Sequence, residues 1–179
     1  MVVHYDYTVL AGTQGARNHY KQDRMFELAL RFRMPIVLFG EGGGGRPGDD
    51  STGPAVAFDT HTFTQFSKLS GAVPMIGVNH GRCFAGNTAL LACCDVIIAT
   101  KDSTIAMGGP AMIEGGGLGI YTPEEVGPMS FQVPNGVVDI LVDDEAEAVR
   151  VAKQYLSYFQ GSVDLSLIHI SEPTRRYSI

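Results

Sequence analysis

Three short runs of apolar residues, 36–39, 73–78 and 96–99, carry no polar interruption. A strand with one wet face alternates polar and apolar residues, so runs like these belong to strands buried on both faces, as in a parallel sheet covered by helices. Helical patterns stand between and around them. Residues 17–33 place Met25, Leu28, Ala29 and Phe32 at helical spacing, residues 55–69 carry a weaker version, and residues 85–94 a compact one. Residues 2–10, rich in β-branched and aromatic side chains, predict an opening strand, and 104–107 and 137–142 two later ones. Asp143 is placed to cap a last helix running to about residue 159, with Asp144, Glu145 and Glu147 favoured near its positive end. Strand, loop and helix in repetition predict an α/β fold with a largely parallel sheet, and ligands in such folds bind at loops that follow strands.

At 179 residues the chain has room for one domain of ordinary size. The net charge is −6 and no Lys/Arg cluster occurs before Arg175 and Arg176, which argues against a nucleic-acid partner. The apolar runs, such as 89–94, fall far short of the roughly 18 residues that span a bilayer, and the N-terminus is not a signal peptide. A cytoplasmic protein, or one of the mitochondrial matrix or another organelle, is expected. Cys83, Cys93 and Cys94 show no CxxC spacing, so the expectation is buried thiols with neither a disulfide framework nor a metal site.

Glycine placement points to the loops that matter. Of 22 glycines, clusters fall at 42–45, 108–109 and 115–119, each after an apolar segment, where the backbone can turn sharply and approach a ligand. The loop GEGGGGRPGD, residues 40–49, is neither a phosphate-binding Walker loop, since no Lys-Ser/Thr pair closes it, nor a dinucleotide fingerprint, since no helix begins at once after it. Successive glycines can aim N–H groups into one concavity. Arg46 is read as a coenzyme phosphate contact or a surface charge, and Glu41 as a loop-ordering acceptor or an acid/base group. In the second loop Ala85 and Gly86 stand where a strand hands over to a helix, so unsatisfied N–H groups face whatever lies above. Such donors suit an oxyanion; close packing is the alternative. His80, before a glycine turn, reads as a hydrogen-bonded structural residue. Neither loop carries a convincing acid/base pair, and Glu114 and Glu124 are read as solvated.

The blocks YDYTVLAGTQG (5–15), PIVLFGEGGGGRPGD (35–49), GVNHGRCFAGNTALLACCDVIIAT (77–100) and GVVDILVDDEAEAVRVAKQYLSYF (136–159) resemble, in order and spacing, the carboxyltransferase components of biotin-dependent acyl-CoA carboxylases. The resemblance covers about nine-tenths of the chain and is to the first of that family's two crotonase-like domains, entered after its start. It implies a crotonase-like (ClpP/crotonase) α/β superhelix of ββα units, with residues 1–161 binding acyl-CoA. The family's loop of two glycines, a small residue and arginine falls on Gly43, Gly44, Gly45 and Arg46, and its cysteine-alanine-glycine-glycine turn on Cys83, Phe84, Ala85 and Gly86. The resemblance implies that Ala85 and Gly86, with Gly44 and Gly45, are catalytic, and that Gly43, Arg46, Cys83 and Phe84 bind the cofactor portion of the substrate. Phe84 and Ala85 are larger than the residues usual at those positions.

The implied reaction carries a carboxyl group from carboxybiotin, brought on a carrier domain, to the α-carbon of an acyl-CoA. The biotin carboxyl carrier, a biotin carboxylase component, a C-terminal carboxyltransferase domain and further copies of the protein are the implied partners. A decarboxylase subunit, a crotonase-type hydratase or isomerase, and a non-catalytic coenzyme-A-binding fragment are the alternatives. Residues 162–179 break the pattern. Their stretch SLIHISEPTR resembles translated sequencing-adapter sequence, so this tail is expected to be non-native or unstructured, a native linker being the alternative.

Overall fold

The computed structural model describes residues 1–46 and 60–160; the expectation for the tail lies outside them, as does the first part of the weak helical pattern at 55–69. Five parallel strands form the main sheet in the order β1 (Val2–His4), β2 (Ile36–Phe39), β3 (Met75–Asn79), β5 (Val96–Thr100) and β7 (Ile140–Val142). Two further strands, β4 (Arg82–Phe84) and β6 (Thr104–Ala106), pair in parallel as a separate ribbon. Helices α1 (Ala16–Phe32), α2 (His61–Ser67), α3 (Gly86–Leu91), α4 (Pro110–Gly115), α5 (Met129–Gln132) and α6 (Glu145–Ser157) complete the described elements, with 3₁₀ turns at Leu10–Gly12 and Pro123–Glu125. The successions β3–β4–α3 and β5–β6–α4 are two ββα units, the repeat expected of a crotonase-like fold.

The apolar runs are buried on both faces, as their composition requires. Successive strand residues point to opposite sides. Ile36, Leu38 and Met75 therefore pack with Phe26 and Ala29 of α1 and Phe66 of α2, whereas Val37, Ile76, Val78 and Ile98 pack with Ala148 and Ala152 of α6. A third cluster joins Leu91 of α3 to Cys83, Ile97, Ala99 and Ile105. Gly77 permits that approach, because a Cβ there would lie 2.6 Å from Leu91 Cδ1.

Several boundaries differ from the sequence reading for local reasons. The first strand stops at His4, not residue 10: Asp6 Oδ1 accepts from the Thr8 N–H (3.0 Å) and hydroxyl (2.6 Å), and Leu10, Ala11 and Gly12 all take positive φ. Side-chain bonding of this kind competes with the strand ladder. The cap of α6 is Asp144, whose carboxylate accepts from the Glu147 N–H at 2.8 Å, and not Asp143. The short strand β4 was hidden in the loop assigned to residues 80–84, since three residues carry no readable period.

Candidate active site

Backbone pairing brings the two glycine loops together. The Gly42 N–H donates to Arg82 O (2.8 Å) and the Phe84 N–H to Gly42 O (2.9 Å), so the first loop runs alongside β4. Gly44 lies against the turn into α3. At φ +85 it occupies a conformation suited to glycine, and a Cβ there would stand 2.5 Å from the Ala85 Cβ and 3.3 Å from the Gly86 nitrogen. Two buried residues hold this contact, Asn87 through its side chain and Gln14 through its main chain. Asn87 Oδ1, on α3, accepts the Gly44 N–H at 2.9 Å, and Gln14 donates its own N–H to Gly44 O (2.6 Å) while its carbonyl accepts from the Arg46 N–H (2.7 Å). The sequence reading passed over both. Each lies beside the Gly42–Gly45 cluster in space, and neither is near it in sequence.

Counting donors separates the predicted residues. The Gly43 N–H is spent on Ala11 O at 3.0 Å, that of Gly44 on Asn87, and that of Ala85 on Ala106 O at 3.2 Å. Of the expected donor pair Ala85 and Gly86, β6 takes the first amide. Gly86 opens α3, where an N–H has no intrahelical acceptor, and no described residue accepts from it or from Gly45. Gly45 is exposed, with no heavy atom of the described residues within 4 Å of where a Cβ would sit.

Cys83 is fully buried, its thiol donating to Gly40 O at 3.1 Å, and burial pushes its pKa up to about 12, so the thiol is neutral and turned into the core. Phe84 is buried as well, its ring within van der Waals reach of where a Cβ on Gly109 would sit. Arg46 turns its guanidinium back on Thr13, bonding the carbonyl at 2.9 Å and the hydroxyl at 3.2 Å.

The structure also brings together Glu41 and His80, which the sequence presents singly. Glu41 follows β2 and His80 follows β3, so adjacent parallel strands deliver both at the same sheet end, with His80 Nε2 and Glu41 Oε2 3.0 Å apart. Hydrogen bonding to Glu41 raises the His80 pKa against the opposing effect of burial, and the charge of Glu145 adds to the rise. The pair borders a cleft of about 380 Å³ shared with Tyr5, Tyr7 and Phe39. Glu124 pairs with Arg82 at the surface, and Glu114 is exposed on α4, which agrees with their reading as solvated groups.

A family model described as the carboxyl transferase domain matches residues 1–175. The chain belongs to that family. Among curated relatives of this carboxyl transferase domain, the methylmalonyl-CoA carboxyltransferase 12S subunit of Propionibacterium freudenreichii subsp. shermanii is 31% identical over 157 residues, 86% of this chain and 29% of that one. A single-chain, multi-domain long-chain acyl-CoA carboxylase is 64% identical, with a TM-score of 0.84 over 90% of this chain and 16% of that protein. The transcarboxylase 12S structure, solved as a hexamer with hydrolysed methylmalonyl-coenzyme A, is 28% identical, with a TM-score of 0.72 over 85% of this chain and 29% of that one. The domain thus spans about a third or less of the curated relatives it matches. Together these relationships bear out the recognised family and the crotonase-like fold.

Proposed function

We propose that the protein to which this domain belongs transfers a carboxyl group from carboxybiotin to the α-carbon of an acyl-CoA, and that this domain holds the thioester. The reading rests on the meeting of the two glycine loops, where the N–H groups of Gly45 and Gly86 are left without acceptors among the described residues while their neighbours are bonded. Removing the α-proton of a thioester moves negative charge onto its carbonyl oxygen. Fixed N–H donors aimed at that oxygen favour the enolate over the ground state, each contributing about 3–4 kcal/mol by the effect of its loss.

The carrier-borne carboxybiotin supplies the carboxyl group and, in its ureido nitrogen, the base for the α-proton. What this chain contributes is orientation and charge stabilisation. Gly44 keeps the loops close because it lacks a side chain, Gly43 is anchored on Ala11, and Arg46, steadied by Thr13, offers positive charge to the coenzyme phosphates. A C-terminal carboxyltransferase domain, the biotin carboxyl carrier, a biotin carboxylase and further copies of the protein are the partners this reading assigns.

The test is Gly86→Pro in the full-length enzyme with its carrier. Proline is tolerated at the first helical position and removes this N–H, but its Cβ would overlap Gln14 Oε1, so Gly86→Ala, which brings the same Cβ and keeps the N–H, is the reference against which the loss is read. Turnover of acyl-CoA should fall about 10²- to 10³-fold with the fold intact by circular dichroism. A folded variant with normal turnover would move the chemistry to Glu41 and His80 and favour a hydratase.

A further inference from the structure

Gln14 bonds the glycine loop through its backbone and touches the turn into α3 through its side chain. It is only 3% exposed. Its main chain fixes Gly44 and Arg46, as described, while its side chain reaches the opposite way: Nε2 donates to the Tyr5 hydroxyl at 2.8 Å, and Oε1 lies against the α-carbon of Gly86, where any Cβ would overlap it. Tyr5 is itself held by Gln22 and is buried enough that its pKa is pushed up to about 12, so the phenol is a neutral anchor at working pH. A surface glutamine loses side-chain entropy for little return, whereas one bonded at the backbone and the amide nitrogen, with its amide oxygen packed against Gly86, has a single position.

We propose that Gln14 is a positioning residue that holds the Gly86 amide and the Gly43–Arg46 loop in one register, so that their free donors act on the same oxygen. The inference deepens the proposed function and rests on it for the identity of that oxygen. Gln14 itself touches no reacting atom. Its amide is neutral and stands where a charge would oppose the enolate.

Two substitutions separate positioning from bulk stability. Gln14→Met keeps the volume and both backbone bonds but loses the grip on Tyr5 and Gly86. In the full-length enzyme kcat should fall roughly 10- to 100-fold, the scale of a sub-ångström to ångström misplacement, with KM for acyl-CoA within about twofold of wild type. Gln14→Glu keeps the shape and adds a carboxylate whose pKa burial raises. Its turnover relative to wild type should recover as pH is lowered and the carboxylate is neutralised, a response that loosened packing does not give. Wild-type kcat in Gln14→Met, or a Gln14→Glu deficit that does not change with pH, overturns the proposal.

Hydrogen exchange of the full-length protein decides independently of activity. In Gln14→Met, peptides covering residues 40–46 and 84–91 should exchange faster together while one covering α6 is unchanged; unchanged exchange in the first two overturns the positioning role. If the wild-type enzyme carboxylates no acyl-CoA, the proposed function fails, and the exchange result still stands for or against Gln14.

Discussion

Ala85 shows how one methyl group reports the demands of a site. Its φ of +50 and ψ of −119 lie outside the regions open to residues with a Cβ, and it adopts them because its N–H must reach Ala106 while Gly86 begins α3. Strain of this kind costs about 1–3 kcal/mol, against about 0.4–1 kcal/mol that glycine forfeits through its freer unfolded chain. Ala85→Gly should therefore stabilise the protein by about 1 kcal/mol, read as a higher urea midpoint at unchanged slope. A lower midpoint would mean that the methyl makes packing contacts worth more than the strain. The sequence reading recognised Ala85 as larger than the usual residue but assigned its amide to the substrate. The N–H direction follows from pairing with β6, which lies about twenty residues further along the chain.

Elements were legible in proportion to their length and periodicity. The helix expected at 17–33 is α1 at Ala16–Phe32, and the three apolar runs are β2, β3 and β5 with ends shifted by a residue or two. Short elements such as β4 and α5 offered no period to read. At α6 the run of Asp143, Asp144 and Glu145 announced an N-terminus but left its cap ambiguous by one residue. The carboxylate of Asp144 accepts from the Glu147 N–H, so Asp144→Ala should lower stability by about 1 kcal/mol, whereas Asp143→Ala should change it by less than about 0.5 kcal/mol. Thermal unfolding of the two variants side by side gives the comparison, and equal losses would return the cap to Asp143.

At the scale of the whole molecule, the pairing of Glu41 with His80 ties the protein's stability to pH. The folded His80 pKa lies above its unfolded value near 6.5, so its bond to Glu41 stabilises fully below that pH and the contribution fades as pH rises through the folded value. The unfolding midpoint of the wild type should exceed that of His80→Gln most at about pH 6, and the gap should narrow towards pH 9. A gap that widens with pH would show that His80 is held neutral by burial instead. No motif advertised this pair, because adjacency across parallel strands is a matter of register.

The amino-acid sequence by itself determined the family, the parallel α/β architecture and the two loops that form the candidate site, because apolar runs, helical spacing and glycine clusters are local properties of the chain. Tertiary structure decided which donors in those loops stay free. Ala85 and Gly44 lose their N–H groups to β6 and Asn87, those of Gly45 and Gly86 meet no acceptor among the described residues, and Cys83 is sealed under Gly40. An amide is available only when no acceptor reaches it, and acceptors come from wherever folding carries the rest of the chain.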